Sequence, residues 1–220
     1  MAINAGMNAK MYRDVKSGKW VNIPEDIKAA FLNRKYRIVK VPASTRLYKM
    51  TANPFDPTRV SPWWAPVEAF LDDKDGALMR FKEAAYNGVS VNDYMRIANA
   101  VSADFNELGK YQEIRLKDEA LGMWGQFEPM PIASSVEAIA KGRKLDKAAA
   151  TDFRAKKLAV ALKGLPSLPA VLGGLGAWQL WIPNLTGNVC EEVITHDNSD
   201  VWISQFFHID LPAAHSFITS

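Results

Sequence analysis

Three short stretches carry the side chains best suited to chemistry. "RLYK" sets Arg46 and Lys49 on a strand-like run, and a guanidinium and an ammonium placed there suit a diphosphate. Fifteen residues after Arg46, "SPWWAP" displays Trp63 and Trp64 in a proline-punctuated segment. Indole faces stack on planar rings and attract cations. "VLGGLGAWQLWIP" then places three glycines ahead of Gln179, a polar side chain among aromatics at the head of a strand-like run. Arginine, lysine and aromatic groups together point to a nucleotide. Packing explains each feature separately: a tryptophan plug beneath a long loop, and an ordinary loop-to-strand junction at the glycines.

Other chemistries find little purchase. The chain has no GxSxG elbow, HExxH, Walker A loop or GxGxxG, and "GGLG" neither follows a strand-like run nor opens a helix, the context a dinucleotide fingerprint needs. His196, His208 and His215 lack metal-ligand spacing, and their reading is surface or hydrogen-bonded histidines. Cys190 has no local signature of a nucleophile. Glu191 and Glu192 are neighbours on a strand-like run, so they face opposite ways and cannot line one site together.

Charge is unevenly spread. Residues 1–50 hold eleven Lys/Arg and three Asp/Glu, whereas no Lys or Arg follows Lys163 and the last 57 residues carry five acids. A basic start is either a solvated face or a rim that draws in an anion. Basic residues are not interleaved with aromatics on one element, which argues against a nucleic-acid surface. The single cysteine excludes an internal disulfide framework. No run of 18 apolar residues exists, and the opening "MAINAGMNAKMYRDVKSGKW" is polar and basic. We therefore expect no membrane span and a protein made in the cytoplasm without a signal peptide.

The elements that must position these residues follow from periodicity. "NIPEDIKAAFLNRKY" opens a helix at Pro24 with acids in its first turn. "YRIVKVP" and "RLYKM" read as strands, and four prolines between Thr51 and Phe70 forbid regular structure over most of that stretch. The segment "VEAFLDDKDGALMRFKEAAYNG" is helical. "SVNDYMRIANAVSADFNEL" is an amphipathic helix with Ser90 as N-cap and a stripe of Tyr94, Ile97, Val101 and Phe105. "KYQEIRLKDEALGMWGQFEPMP" reads strand, turn, strand. Residues 135–163 are Ala/Lys-rich and helical, and strands follow at "QLWIPNL", "VCEEVIT" and "VWISQFFHI". Strands and a helix, then helices, then mostly strands make the class α+β. The organisation expected is a basic N-terminal extension over 1–35 and one domain over 36–220 with a helical insertion at about 135–163.

Taken in order, "VPASTRLYKM", "SPWW", "QEIRLKDEALGMWGQFEPMP" and "LGGLGAWQLWIP" resemble the ADP-ribosyltransferase fold. The nearest likeness is to NAD glycohydrolase toxins of the tuberculosis-necrotizing-toxin type, and it covers roughly residues 36–67 and 111–194. The resemblance implies a split mixed or antiparallel β core with flanking helices. It implies NAD+ as substrate, no prosthetic group, a cognate immunity protein, and delivery into a target-cell cytoplasm by a specialised secretion system. Gln179 takes the place of the catalytic Gln, and Arg46, or Lys49 at the "LYR" place, would hold the NAD phosphates. Trp63 or Trp64 would stack on nicotinamide beside Ser61, while Gly174 and Trp178 belong to the turn that lets backbone approach the ring. Lys49 in place of arginine keeps charge but loses bidentate geometry. A neutral amide orients ribose hydroxyls but cannot stabilise an oxocarbenium-like charge as a carboxylate does. That favours water as acceptor over a protein, so hydrolysis is expected ahead of mono-ADP-ribosyl transfer. A non-enzymatic phage or secretion-system component is the alternative of a different class.

Overall fold

The computed structural model describes residues 23–67, 91–101, 108–130, 155–160, 178–183 and 185–197, with isolated positions between them. Gly174 lies outside the described residues, as do Ser90, Phe105, His208, His215, the segment "VWISQFFHI" and most of the 135–163 insertion.

Seven strands form one antiparallel sheet, in the order β1-β5-β6-β3-β2-β4-β7. They are β1 (Arg37–Val41), β2 (Arg46–Thr51), β3 (Trp63–Pro66), β4 (Lys110–Leu116), β5 (Ala120–Gln126), β6 (Trp178–Trp181) and β7 (Cys190–His196). The helices among the described residues include α1 (Glu25–Ala29) and α2 (Val91–Ala98). The class is α+β.

The tryptophan pair departs from expectation. Trp63 and Trp64 lie in a strand, although prolines dominate the segment. The strand is only four residues long, and each half serves a different neighbour. Trp63 and Trp64 pair with Trp181 and Leu180 of β6, while Ala65 and Pro66 pair with Tyr48 and Leu47 of β2. Pro66, which lacks an N–H, falls at the strand end where a ladder donor is dispensable. β3 is thus the joint between two groups of strands, β1-β5-β6 on one side and β2-β4-β7 on the other.

The expected strand–turn–strand at 110–126 also has an unexpected partnership. β4 pairs with β2 and β7, and β5 pairs with β1 and β6, so the two strands do not pair with each other. The turn at Lys117–Glu119 instead carries the chain from one strand group to the other. Leu116 is held there by Ser44 and Thr45, through Ser44 N to Leu116 O at 2.8 Å and Leu116 N to Thr45 O at 3.0 Å.

Each face of the sheet has its own core. Side chains alternate along a strand and cross-strand partners share a face. Val41, Leu47, Trp64, Ile114, Leu116, Leu180 and Ile182 therefore cluster on one side, with Phe55 and Val60 packed against them. Ile23, Phe31, Met123 and Trp181 cluster on the other, with Tyr36 and Trp63. Segment 23–34, expected as part of an extension, lies on this second face. Phe31 is fully buried and bridges Phe127, and Glu128 N bonds Ala30 O at 2.9 Å. Gly125 lets it approach: a Cβ there would stand 2.6 Å from Lys35 O and 2.7 Å from the Phe31 ring. The amphipathic helix is shorter than its pattern. α2 ends at Ala98, where Asn99 Nδ2 bonds Met95 O at 2.9 Å and Ala100 turns left-handed at φ 52°. Its Tyr94 and Ile97 are buried as the stripe requires.

Candidate functional site

The strand register sorts the predicted residues onto the two faces. Arg46, Trp63 and Gln179 fall on one, Lys49, Trp64 and Trp178 on the other. Ser61 precedes β3 and opens onto the Lys49 face. The six do not converge on one cleft.

On the first face each side chain is engaged with protein. Arg46 forms a two-pronged ion pair with Glu113 of β4, Nε to Oε1 at 2.6 Å and Nη2 to Oε2 at 3.2 Å. Glu113 is buried at 3% exposure and also accepts the Tyr111 hydroxyl. That ring lies between Tyr48, at 6.1 Å, and His196, at 6.0 Å. Burial and the Glu113 carboxylate push the Tyr111 hydroxyl well above its ordinary range, so it stays a donor. Gln179 is 4% exposed, and its Nε2 donates to Ala30 O at 2.6 Å. Trp63 packs against Phe31 at 5.9 Å and Trp181 at 6.4 Å.

The second face is open where β2 ends. A cleft of about 370 Å³ lies between the sheet and the loop from β2 to β3, lined among others by Lys49, Thr51, Gln112, Phe55, Arg59 and Ser61. The volume is within the range of small-molecule sites, about 300–1,000 Å³. Lys49 Nζ sits 4.8 Å from the centre of the Trp64 ring, a cation–π contact of about 0.5–2 kcal/mol. Burial draws its ammonium down from 10.5 to about 8. Among the described residues no carboxylate forms an ion pair with it. Trp64 is itself locked, donating Nε1 to Ser61 O at 2.6 Å, while Ser61 Oγ accepts Trp63 N at 3.2 Å.

The loop that roofs the cleft is fixed along its length. Gln112 Nε2 holds Asn53 O at 3.0 Å. Gly187 N holds Pro57 O at 2.8 Å, and a Cβ on Gly187 would stand 2.4 Å from Pro57 Cβ. "DPTR" folds as a turn: Asp56 Oδ1 accepts Thr58 N at 2.8 Å and its hydroxyl at 2.6 Å, and Arg59 N bonds Asp56 O at 3.2 Å. Asp then Pro at the first two turn positions is what such a turn prefers.

Trp178 is 42% exposed and stacks on Trp124 with centroids 5.3 Å apart. It shares the face of Lys49 but stands level with Pro66 and Leu47, away from the end of β2 that opens into the cleft. Cys190 is half-buried, its thiol raised by burial and donating to Thr186 O at 3.9 Å. Glu192 pairs with Arg115 at 3.1 Å. Among the described residues no group of three His, Cys, Asp or Glu is arranged to hold a metal, and no helix is long and apolar enough to cross a membrane.

Sequence reasoning passed over Glu113, Gln112 and Arg59. The signal was present in "YQEI": two adjacent polar residues between apolar ones on a strand must send one polar group into each face. Arg59 was marked by the turn chemistry of "DPTR". The chain matches no protein-family model, no curated protein and no solved structure.

Proposed function

We propose that this protein is an NAD+-consuming enzyme that binds its substrate through the Lys49 cleft and cleaves the nicotinamide–ribose bond with water as acceptor. One observation carries the reading. Lys49 and Ser61, which the family resemblance picks out, line one cleft, with the Lys49 ammonium over the buried Trp64 ring and, among the described residues, in no ion pair with a carboxylate. An ammonium partly withdrawn from water favours an anionic ligand, because buried charge is costly unless paired. On this reading the protein acts as an interbacterial effector delivered into a target cell and is neutralised by an immunity partner.

Gln179 lies on the opposite face of the sheet and is not part of this cleft. To touch a ribose, its amide must exchange the Ala30 carbonyl for a hydroxyl, and residues 30–31 must lift from Gln179 of β6 and from Phe127, which follows β5. The test is nicotinamide release from NAD+ by the purified chain and by Gln179→Ala and Lys49→Met. The reading expects turnover by the wild type and a loss of at least tenfold in kcat/KM for Lys49→Met. Turnover undiminished in Gln179→Ala removes that residue from catalysis, and no release by the wild type overturns the reading. Label transferred to a protein, with NAD+ spared in its absence, would identify a mono-ADP-ribosyltransferase instead.

A second reading, a non-enzymatic binding or structural component, has its own support. Gln179, Trp63 and Trp64 are all packed or hydrogen-bonded within the protein. It expects no nicotinamide release and no stabilisation by NAD+ in a thermal-shift titration.

A further inference from the structure

The cleft contains more than the resemblance accounts for. Arg59 comes from the loop roof, and nothing in the family likeness assigns it. Its position is set by the Asp56–Thr58 turn, and the turn by the anchors at Asn53 and Pro57. Lys49 comes from the sheet below, with Trp64 beneath its ammonium. Among the described residues the charged groups that line the cleft with Lys49 are Arg59 and Asp56 from the loop; β4 presents Gln112, and Trp64 of β3 lies under the ammonium. Asp56 is already committed, its carboxylate accepting two bonds from Thr58 and lying in the field of Arg59. Two cations from opposite walls outnumber that one carboxylate, and the loop between them is preformed.

The geometry points to a two-cation oxyanion clamp, Lys49 from below and Arg59 from above, that takes a phosphoryl or diphosphoryl group whatever that group is attached to. It rests on the cleft being a ligand site, as the proposed function does, but on no nicotinamide chemistry. Guanidinium supplies directional paired donors and ammonium a point charge, a division of labour suited to a tetrahedral oxyanion. The clamp is also pH-sensitive within the range where Lys49 titrates. Its ammonium gives up its proton near pH 8, so the clamp has both cations at pH 7 and only Arg59 at pH 9. With that value the protonated fraction falls about tenfold between those two pH values, and affinity falls with it.

Inorganic pyrophosphate, titrated into the full chain by calorimetry at pH 7 and pH 9, tests this. The ligand itself loses protons over that interval, which alone would strengthen binding, so weakening identifies the protein group. The expected results are saturable binding at pH 7 and a Kd about tenfold weaker at pH 9. Lys49→Met should bind at least tenfold more weakly at pH 7 and lose the weakening at pH 9. Arg59→Ala should weaken binding at both pH values and keep the dependence. Lys117→Ala removes one exposed charge outside the cleft and should bind as the wild type. Circular dichroism and thermal melts establish that each variant is folded. Absence of saturable binding by the folded wild type overturns the clamp, as does wild-type affinity in Lys49→Met. Pyrophosphate binding with this pH slope but no nicotinamide release refutes the NAD+ reading and leaves the clamp standing. Nicotinamide release without pyrophosphate binding does the reverse.

Discussion

The two faces of the sheet use polar residues in opposite ways. On the Arg46 face, Arg46 and Tyr111 close around Glu113, and Gln179 closes on Ala30. On the Lys49 face a partly buried ammonium has an aromatic ring beneath it and no carboxylate in ion-pair reach among the described residues. A polar group whose hydrogen bonds end within the protein explains itself through stability. A charge held over an open cleft by a fixed loop asks for a ligand. Residue type alone does not separate these cases: Arg46 and Lys49 are three positions apart on one strand and serve different ends, because an odd spacing on a strand changes the face.

The sharpest way to break this comparison is at Glu113. Glu113→Ala leaves the partly exposed Arg46 without its counter-charge and the Tyr111 hydroxyl without its acceptor, and should cost about 2–4 kcal/mol, less than a fully buried pair would, measured by urea unfolding. A loss below 1 kcal/mol would mean that the Arg46 face is not organised around this carboxylate. Gly125→Val comes next. Its new atoms meet the Lys35 carbonyl and the Phe31 ring, and a loss of about 1–3 kcal/mol is expected from overpacking. Gln179→Ala removes one buried hydrogen bond and leaves the Ala30 carbonyl to its remaining donor from Glu128. About 1–2 kcal/mol should be lost, with pyrophosphate affinity unchanged.

Lys49 should show the opposite sign. Its folded value, about 8, lies below the ordinary 10.5, so between those values the unfolded chain binds more protons than the folded one. Stability contributed by this group therefore rises as pH climbs from 8 to 10.5. Below pH 8 both states carry the charge and its burial is a standing cost. Lys49→Met should stabilise the protein at pH 7 by roughly 1–2 kcal/mol, a figure discounted for partial exposure, and the difference should vanish by pH 10.5. Unfolding free energies of the two proteins across pH 7–10.5 check it. A Lys49→Met variant that is less stable than the wild type at pH 7 would show that the ammonium is already compensated. The smallest effect belongs to the exposed Lys40–Glu119 pair at 3.5 Å, where Lys40→Ala should change stability by less than about 0.5 kcal/mol.

Much of the strand inventory was legible because period-2 alternation and proline stops are local. β1, β2, β4 and β5 lie where "YRIVKVP", "RLYKM" and "KYQEIRLKDEALGMWGQ" placed them. The pairing was not legible. Nothing local distinguishes a turn at Lys117–Glu119 that closes a hairpin from one that passes between two strand groups. β3 was hidden for a related reason: Pro62 before it and Pro66 at its end forbid a long strand but leave room for a four-residue one that bridges two neighbours. The candidate site was half legible. Residue type points to Lys49 and Trp64 and the resemblance adds Ser61, but neither assigns faces, so both group Arg46, Trp63 and Gln179 with them across the sheet. Counting parity from Lys49 along β2 would have separated Arg46 at once, whereas Gln179 needed the register through β3.

The indole and side-chain amide resonances report the two faces separately, and an NAD+ titration followed by two-dimensional NMR tests the cleft most directly. The account predicts saturable shifts of the Trp64 indole N–H and the Gln112 amide, with the Trp63 indole and the Gln179 amide unmoved. Shifts confined to Trp63 and Gln179 would contradict it and place the ligand on the opposite side of the sheet.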